Sequence, residues 1–252
     1  MDALVGSTGF VGGHLQRAHR FDLSVHRSDV GELTGRHVDL LVCAGLPAAK
    51  WLANKDPQAD WSNMAALAKV LATVRPARAV LISTIDVYQP AVDVDESDPP
   101  DFDAPGAYGA HRAWFETFFQ ARFPGSTVLR LPGLFGPDLR KNLIYDLLHG
   151  RRDQWQAMNP ESRFQFFDAT RTWDVVEQAW RHGLSLVNVT SEPVSAQQIS
   201  ALFAVELRGT SPAVSYDMRS LHAERFGGSD GYIFSARQVL RQIDDLRRAS
   251  VQ

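Results

Sequence analysis

The sequence predicts an α/β protein built on a doubly wound parallel sheet, and three observations carry that prediction. Short aliphatic and β-branched runs alternate with longer stretches of helical period along the chain. Most of those runs are too apolar to be half-exposed, as strands covered on two faces must be. The first run leads directly into Gly6-Ser7-Thr8-Gly9-Phe10-Val11-Gly12, a glycine-rich turn between strand and helix.

Taken in order, strands are expected at 3–5, 21–25, 38–43, 79–83, 127–131 and 186–189. Helices are expected at 12–19, 60–74, 108–122, 142–149, 173–182 and 195–206. In the second of these, Met64, Leu67, Ala68 and Leu71 recur at helical spacing and make one apolar face. The polar segment 150–163, with Asn159-Pro160, reads as a loop. Ser195 is placed to cap the helix after it, and Phe226-Gly227-Gly228 reads as a loop before a final amphipathic helix at 235–248. About a dozen residues separate Val25 from Val38, too few for a helix-strand-helix passage, so one βα unit is expected to be shortened.

Of the 252 residues 44% are hydrophobic and 22% charged, the make-up of a soluble globular protein. Lys and Arg number 26 against 29 Asp and Glu, and the net charge of -3 argues against nucleic-acid and anionic-membrane partners. The longest uncharged stretch, 40–49, is far short of the roughly 20 apolar residues of a membrane helix. No basic and apolar leader pattern opens the sequence, and the one cysteine, Cys43, sits in an apolar run, so a cytoplasmic setting is expected. The histidines show no ligand spacing, and no metal is expected. Neither a Gly-x-Ser-x-Gly elbow nor a phosphate loop ending in Gly-Lys-Ser/Thr is present.

The glycine-rich turn has a physical logic of its own. Gly6 suits a tight turn, Gly9 a close backbone approach to pyrophosphate, and Gly12 close packing of helix on strand, while helix-terminal amides face the anion. Gly6, Ser7, Thr8, Gly9, Phe10, Val11 and Gly12 are therefore the candidate cofactor-binding residues, the alternative being a turn that needs glycine for geometry alone. After the second strand, Val25-His26-Arg27-Ser28 offers no carboxylate for a ribose 2′-hydroxyl before Asp29. Arg27 suits a 2′-phosphate, which favours NADP over NAD, unless it is simply a solvated surface residue.

Four further stretches follow at suitable separations. They are Cys43-Ala44-Gly45-Leu46 with Asn63 on the next helix, Ser83-Thr84-Ile85-Asp86-Val87-Tyr88, Tyr108-Gly109-Ala110-His111-Arg112, and Arg130-Leu131-Pro132-Gly133-Leu134-Phe135-Gly136-Pro137 with Leu186-Val187-Asn188-Val189. Over most of its length the chain thus resembles a divergent extended short-chain dehydrogenase/reductase of the sugar-nucleotide epimerase/dehydratase type. The resemblance implies a Rossmann-type sheet, with a dinucleotide domain at 1–136 plus about 164–190 and a small C-terminal substrate lobe at about 137–163 plus 191–252. It implies Ala44, Gly45, Leu46 and Pro132 beside the cofactor, and Asp86 and Gly133 toward substrate. Arg140 and Lys141, with Asn142 near a helix start, suit a substrate diphosphate, the alternative being scattered surface charge. The resemblance also implies a homodimer formed through the helices at 60–74 and 108–122.

Hydride transfer at a carbinol or carbonyl needs a group that exchanges a proton with the substrate oxygen, and a tyrosine does so when a nearby cation lowers its pKa. Tyr108 is the candidate acid/base. Arg112, one helical turn on, is expected to lower the Tyr108 pKa and bond ribose hydroxyls, and Thr84 to hold the substrate oxygen. Arg112 stands where the family has lysine, and a guanidinium keeps its proton; His111 beside it is a second proton carrier or a solvent-facing residue. Gly133 replaces an asparagine, and Ile85-Asp86 replaces the Asp-Glu of 4,6-dehydratases, which makes that reaction the least expected. The expected activity is that of an NAD(P)-dependent oxidoreductase or epimerase acting on a sugar nucleotide or related carbonyl or hydroxyl compound. The alternative is a weakly active or non-catalytic NAD(P)-binding sensor or scaffold.

Overall fold

The computed structural model describes residues 1–103 and 106–250. Ala104 and Pro105 of the expected dinucleotide domain, and Val251 and Gln252 of the expected lobe, lie outside the described residues. The chain opens with β1 (Asp2–Val5), α1 (Phe10–Ala18), β2 (Leu23–Val25), β3 (His37–Cys43), α2 (Lys50–Lys55), α3 (Pro57–Leu71) and β4 (Arg75–Thr84). There follow β5 (Val92–Val94), α4 (Ala107–Arg122), β6 (Thr127–Leu131), β7 (Gly133–Phe135), α5 (Leu143–Leu148), α6 (Arg152–Trp155), β8 (Arg163–Phe164) and β9 (Phe166–Asp168). The rest is α7 (Thr172–Arg181), β10 (Leu186–Asn188), β11 (Val194–Ser195), α8 (Ala196–Ala201), β12 (Asp217–Met218) and α9 (Ala236–Ala249).

Six strands form one sheet in the order β10-β6-β4-β3-β1-β2. β1 runs parallel to both β2 and β3, and β3 parallel to β4. The chain therefore leaves β1 in one direction for β2 and returns to the other side for β3, which makes the β1/β3 boundary the switch point of the sheet. The shortened βα unit is visible at the edge. β2 has three residues, a single 3₁₀ turn at Val30–Leu33 leads on toward β3, and no strand pairs with the outer side of β2 among the described residues.

Contacts divide the described residues into two units. The first holds Met1–Gln89, Asp98–Arg130 and Thr170–Val187; the second holds Pro90–Ser97, Leu131–Ala169 and the described chain from Asn188 onward. In the first unit alternation along the strands sorts the core. Ala3, Val5, Leu41, Cys43, Ala79, Leu81 and Val128 join Met64, Leu67 and Leu71 of α3 and Phe115 and Phe119 of α4 in one buried cluster. At roughly 1.5–3 kcal/mol for each fully buried large apolar side chain, this cluster holds both helices to the sheet. Leu4, Leu40, Val42 and Val80, on the alternate positions, are equally buried. Helices α1 and α7 pack together, with Trp173 stacked on His19 at 4.1 Å between centroids. Cys43 is fully buried, and loss of solvation pushes its thiol up to about 12 against a backbone hydrogen bond from Gly45.

The second unit is irregular: β5 pairs with β12, β7 with β9 and β8 with β11. Buried Gln165 replaces a ladder there, donating to the carbonyls of Ser191 (2.6 Å) and Met218 (2.8 Å) and accepting from the Met218 amide at 2.8 Å. Helix α9 packs on β9 and α8, burying Val239 and Ile243.

Several expected boundaries move for identifiable reasons. α3 starts at Pro57, not 60, because Asp56 caps it by accepting from the Ala59 amide at 3.0 Å and proline suits the first helical position. β4 starts at Arg75 rather than 79 because His37 of β3 offers it a partner. The helix expected at 195–206 ends at Ala201; the next residues turn, and Ala204 takes a φ of 54°. The expected loop at 150–163 contains α6, and α2 was not expected at all. Ser195 and Ser235 both cap, each within a capping box closed by the glutamine three residues on.

Candidate active site

The glycine-rich turn and the 44–46 loop meet at the switch point. Gly6 has a φ of +90°, and its amide bonds the Val25 carbonyl at 2.8 Å while the Ala44 amide bonds the Val5 carbonyl at 2.9 Å. A Cβ on Gly6 would overlap the Ala44 carbonyl, and one on Gly12 would overlap the Gly6 carbonyl. Both positions thus forbid a side chain for reasons of backbone contact. At Gly9, the N-cap of α1, no side chain caps the helix, so the amides of Phe10, Val11 and Gly12 have no capping acceptor from a side chain. Ser7 is half-buried and Thr8 and Gly9 are exposed. A turn that keeps Gly6, Gly9 and Gly12 bare, closed by a helix N-terminus at the switch point, fits a pyrophosphate. Arg27, after β2, is exposed and donates to the Asn63 side chain of α3 at 3.2 Å.

At the end of β4 the structure brings Thr84, Asp86 and Tyr108 together. Thr84 Oγ1 accepts from the Asp86 amide at 3.2 Å, and the Thr84 hydroxyl acts on the Tyr108 phenol in the direction of a lower pKa. Gly109 fixes this approach, since any Cβ there would overlap the Asp86 carbonyl. Beneath the phenol ring lies Arg112, its guanidinium carbon 3.9 Å from the ring centroid. Burial is the largest influence on the phenol and raises its pKa above the ordinary tyrosine range. Arg112, Thr84 and Lys50 pull it down, Asp86 pushes it up, and the rise survives. Arg112 thus acts on the phenol in the expected direction, and desolvation outweighs it.

Arg112 itself is held by other partners. Its Nη1 and Nη2 make a two-point pair with Asp60 of α3 at 2.5 and 2.9 Å, and Nη2 also donates to the Pro47 carbonyl at 2.5 Å. The side chain is 1% exposed, and its remaining Nε is buried without a partner among the described residues. That geometry offers no donor to a ribose hydroxyl at the surface. His111 Nδ1 lies 2.8 Å from the same carboxylate, so Asp60 organises both residues. Burial works against ionisation of Asp60, but hydrogen bonds from Arg112 and His111 outweigh it and hold its pKa below the ordinary aspartate value. A lowered carboxyl pKa stabilises the fold above the unfolded-state value, and the contribution is lost as pH falls through the folded-state value. The Tm deficit of Asp60→Asn is thus expected in full at neutral pH and to shrink below about pH 4, as followed by thermal melts across that range.

Residues missed in the sequence complete the site. From α2, Lys50 Nζ donates to Asp86 Oδ1 at 2.6 Å and Asn54 Oδ1 accepts from the Tyr108 amide at 2.9 Å. Further down α4, Glu116 accepts from Arg130 Nε at 3.1 Å and Nη2 at 2.6 Å and from the Ser83 hydroxyl, while Arg130 Nη1 donates to the Tyr88 hydroxyl. Glu116 and Arg130 thus clamp both ends of the Thr84–Asp86 turn. The available signal was spacing, because 108, 112 and 116 share one helix face and a carboxylate on that apolar face needs a partner.

The remaining candidates lie in the second unit. Pro132 is buried, and Arg140 and Lys141 are exposed. Asn142, at φ 104°, caps α5 by accepting from the Tyr145 amide at 3.2 Å, and its amide group donates to the Leu134 carbonyl at 2.7 Å. Gly133 has a packing reason: a Cβ there would come within 2.9 Å of the Phe166 ring across the β7–β9 pair.

No family model and no curated protein matches the chain. Solved structures do. The dTDP-4-dehydrorhamnose reductase of Yersinia enterocolitica superposes with a TM-score of 0.74 at 13% identity, covering 97% of this chain and 98% of that one. The UDP-glucose 4-epimerase of Thermotoga maritima, solved with UDP-glucose, gives 0.73 at 15% identity over 100% of both chains. RMD from Pseudomonas aeruginosa, solved with NADPH, gives 0.70 at 18% identity over 99% of both. The chain therefore has the Rossmann-type fold of extended short-chain dehydrogenase/reductases, the class its motifs resemble. Among the described residues no helix is long and apolar enough to cross a membrane.

Proposed function

We propose that the chain is an NAD(P)-dependent oxidoreductase or epimerase acting on a sugar nucleotide or a related carbonyl or hydroxyl compound. One observation carries this reading: a glycine turn at the switch point and a Tyr108–Thr84 pair at the end of β4 occur in the same unit. The activities of the structural neighbours support it. When bound, the nicotinamide accepts or returns a hydride. Gly6 through Gly12, with Ala44, Gly45 and Leu46, hold the dinucleotide, and Arg27 favours a 2′-phosphate. Thr84 orients the substrate oxygen by its hydroxyl, and Tyr108 Oη gives it or takes from it a proton. Arg112 supports the Tyr108 ring and holds positive charge beneath it. Asp86, Gly133, Arg140, Lys141 and Asn142 are the residues assigned to substrate.

The test is a titration of folded protein with NADPH and NADH, followed by nicotinamide fluorescence. Saturable binding is expected, tighter for NADPH, with the preference reduced in Arg27→Ala and binding abolished in Gly6→Val. If neither cofactor binds, the reading fails. The rise in the Tyr108 pKa and the burial of Arg112 favour a second reading, a dinucleotide-binding sensor, which would bind NADPH and turn nothing over. We further propose a homodimer through α3 and α4, where partly buried Trp61, Trp114 and Phe118 cluster with Trp61–Trp114 centroids 4.6 Å apart. Sedimentation at micromolar concentration is expected to show a dimer, and a monomer there excludes it.

A further inference from the structure

We propose that Lys50, tethered by Asp86, is the solvent-reaching cation that serves the Tyr108 phenolate, beside an Arg112 that is closed to solvent. The proposal rests on Tyr108 being the acid/base of the site. When the phenol passes its proton to a substrate oxygen, one negative charge is left on Tyr108 Oη. A cation that reaches solvent both balances that charge and lies on the route by which water restores the proton. Arg112 lies beneath the ring, bonded on both terminal nitrogens and closed to solvent. Lys50 differs in each respect: it is an ammonium, its side chain is 44% exposed, and it reaches the turn that carries Thr84 through a 2.6 Å bond to Asp86.

The local fold builds this arrangement deliberately. Lys50 and Asn54 are four apart on the single helix α2, so they face the same way. Lys50 takes the Asp86 carboxylate and Asn54 the Tyr108 amide, which ties one helical turn to both halves of the Thr84–Tyr108 pair. The charged groups around the phenol are Arg112 on its own helix, Asp60 of α3 with His111 behind it, Asp86 of the β4 turn, and Lys50 of α2. Lys50 and Asp86 act on the phenol with opposite sign. That opposition separates an electrostatic role from a structural one. A pair that only braced the turn would respond in the same way to loss of either partner.

The experiment labels the full chain with 3-fluorotyrosine and follows Tyr108 by ¹⁹F NMR against pH, its resonance assigned with Tyr108→Phe. Lys50→Met is expected to raise the pKa of the fluorophenol and Asp86→Asn to lower it, each by about half a unit or more for partly exposed charges at short range. Lys50→Arg is expected to restore the wild-type value, and thermal melts confirm that each variant is folded. No shift in Lys50→Met, or shifts of the same sign in both variants, overturns the proposal. NADPH binding is measured on the same samples. Failure of wild-type protein to bind it counts against the functional reading, whereas normal binding with unmoved titrations counts against Lys50 alone.

Discussion

Tyr108→Phe is expected to leave NADPH affinity unchanged and to lower turnover of the carbonyl substrate by about 10²- to 10⁴-fold. The substitution removes one oxygen and keeps the ring, so the contact with Arg112 at 3.9 Å survives and the fold is spared. What disappears is the phenol hydroxyl that gives or takes the proton. Because burial holds the phenol pKa above the ordinary range, the wild-type group is protonated throughout the neutral range and ready to act as an acid in reduction. Oxidation needs the phenolate and is expected to accelerate as pH rises toward that pKa. Stopped-flow measurement of NADPH oxidation gives the rate, and turnover unchanged in Tyr108→Phe removes Tyr108 from the chemistry.

Glu116→Ala is expected to lower the unfolding free energy by about 3–5 kcal/mol, because it strands the Arg130 guanidinium in the interior. Glu116 is 2% and Arg130 3% exposed, and the three bonds that Glu116 accepts from Arg130 have no solvent to replace them. Replacing both by apolar residues of similar size, as in Glu116→Leu with Arg130→Met, is expected to recover most of that loss. Urea unfolding of the single and double variants decides it, and a single variant as stable as wild type refutes the argument. The double variant also has a functional consequence. Without Glu116 to hold Ser83 and Arg130 to hold Tyr88, Thr84 is no longer fixed against Tyr108, so activity is expected to stay low when stability returns.

The sheet was legible because its strands are apolar on both faces and its turns carry glycine or capping residues. Gly6 was read for a tight turn and Gly12 for close packing of helix on strand, and a positive φ at Gly6 and a backbone contact at Gly12 match those reasons, which depend only on local order. Tyr108 and Thr84 stood out through the resemblance of their stretches to a family's motifs, and the structure places them at a helix start and a strand end. Lys50 and Asn54 were not, because α2 is a six-residue helix with too few turns to show a period. The second unit resisted reading for a similar reason. Its strands of two or three residues cannot display alternation, and buried Gln165 does work that a regular ladder does elsewhere. The fate of Arg112 was invisible in sequence because its partner, Asp60, is fifty-two positions away and looked like a helix-start carboxylate.

Cys43 makes the chain a convenient scaffold for spectroscopy. A thiol with no solvent contact and a pKa near 12 supplies almost no thiolate to maleimides or iodoacetamides at neutral pH. A cysteine introduced at a surface position such as exposed Trp51, next to Lys50, would then take a dye or spin label alone, with no background mutation required. The native sulfur becomes the complementary reporter, silent while β3 is packed and reactive when it opens, so one chain offers distance measurement at the site and a chemical clock for opening of its core.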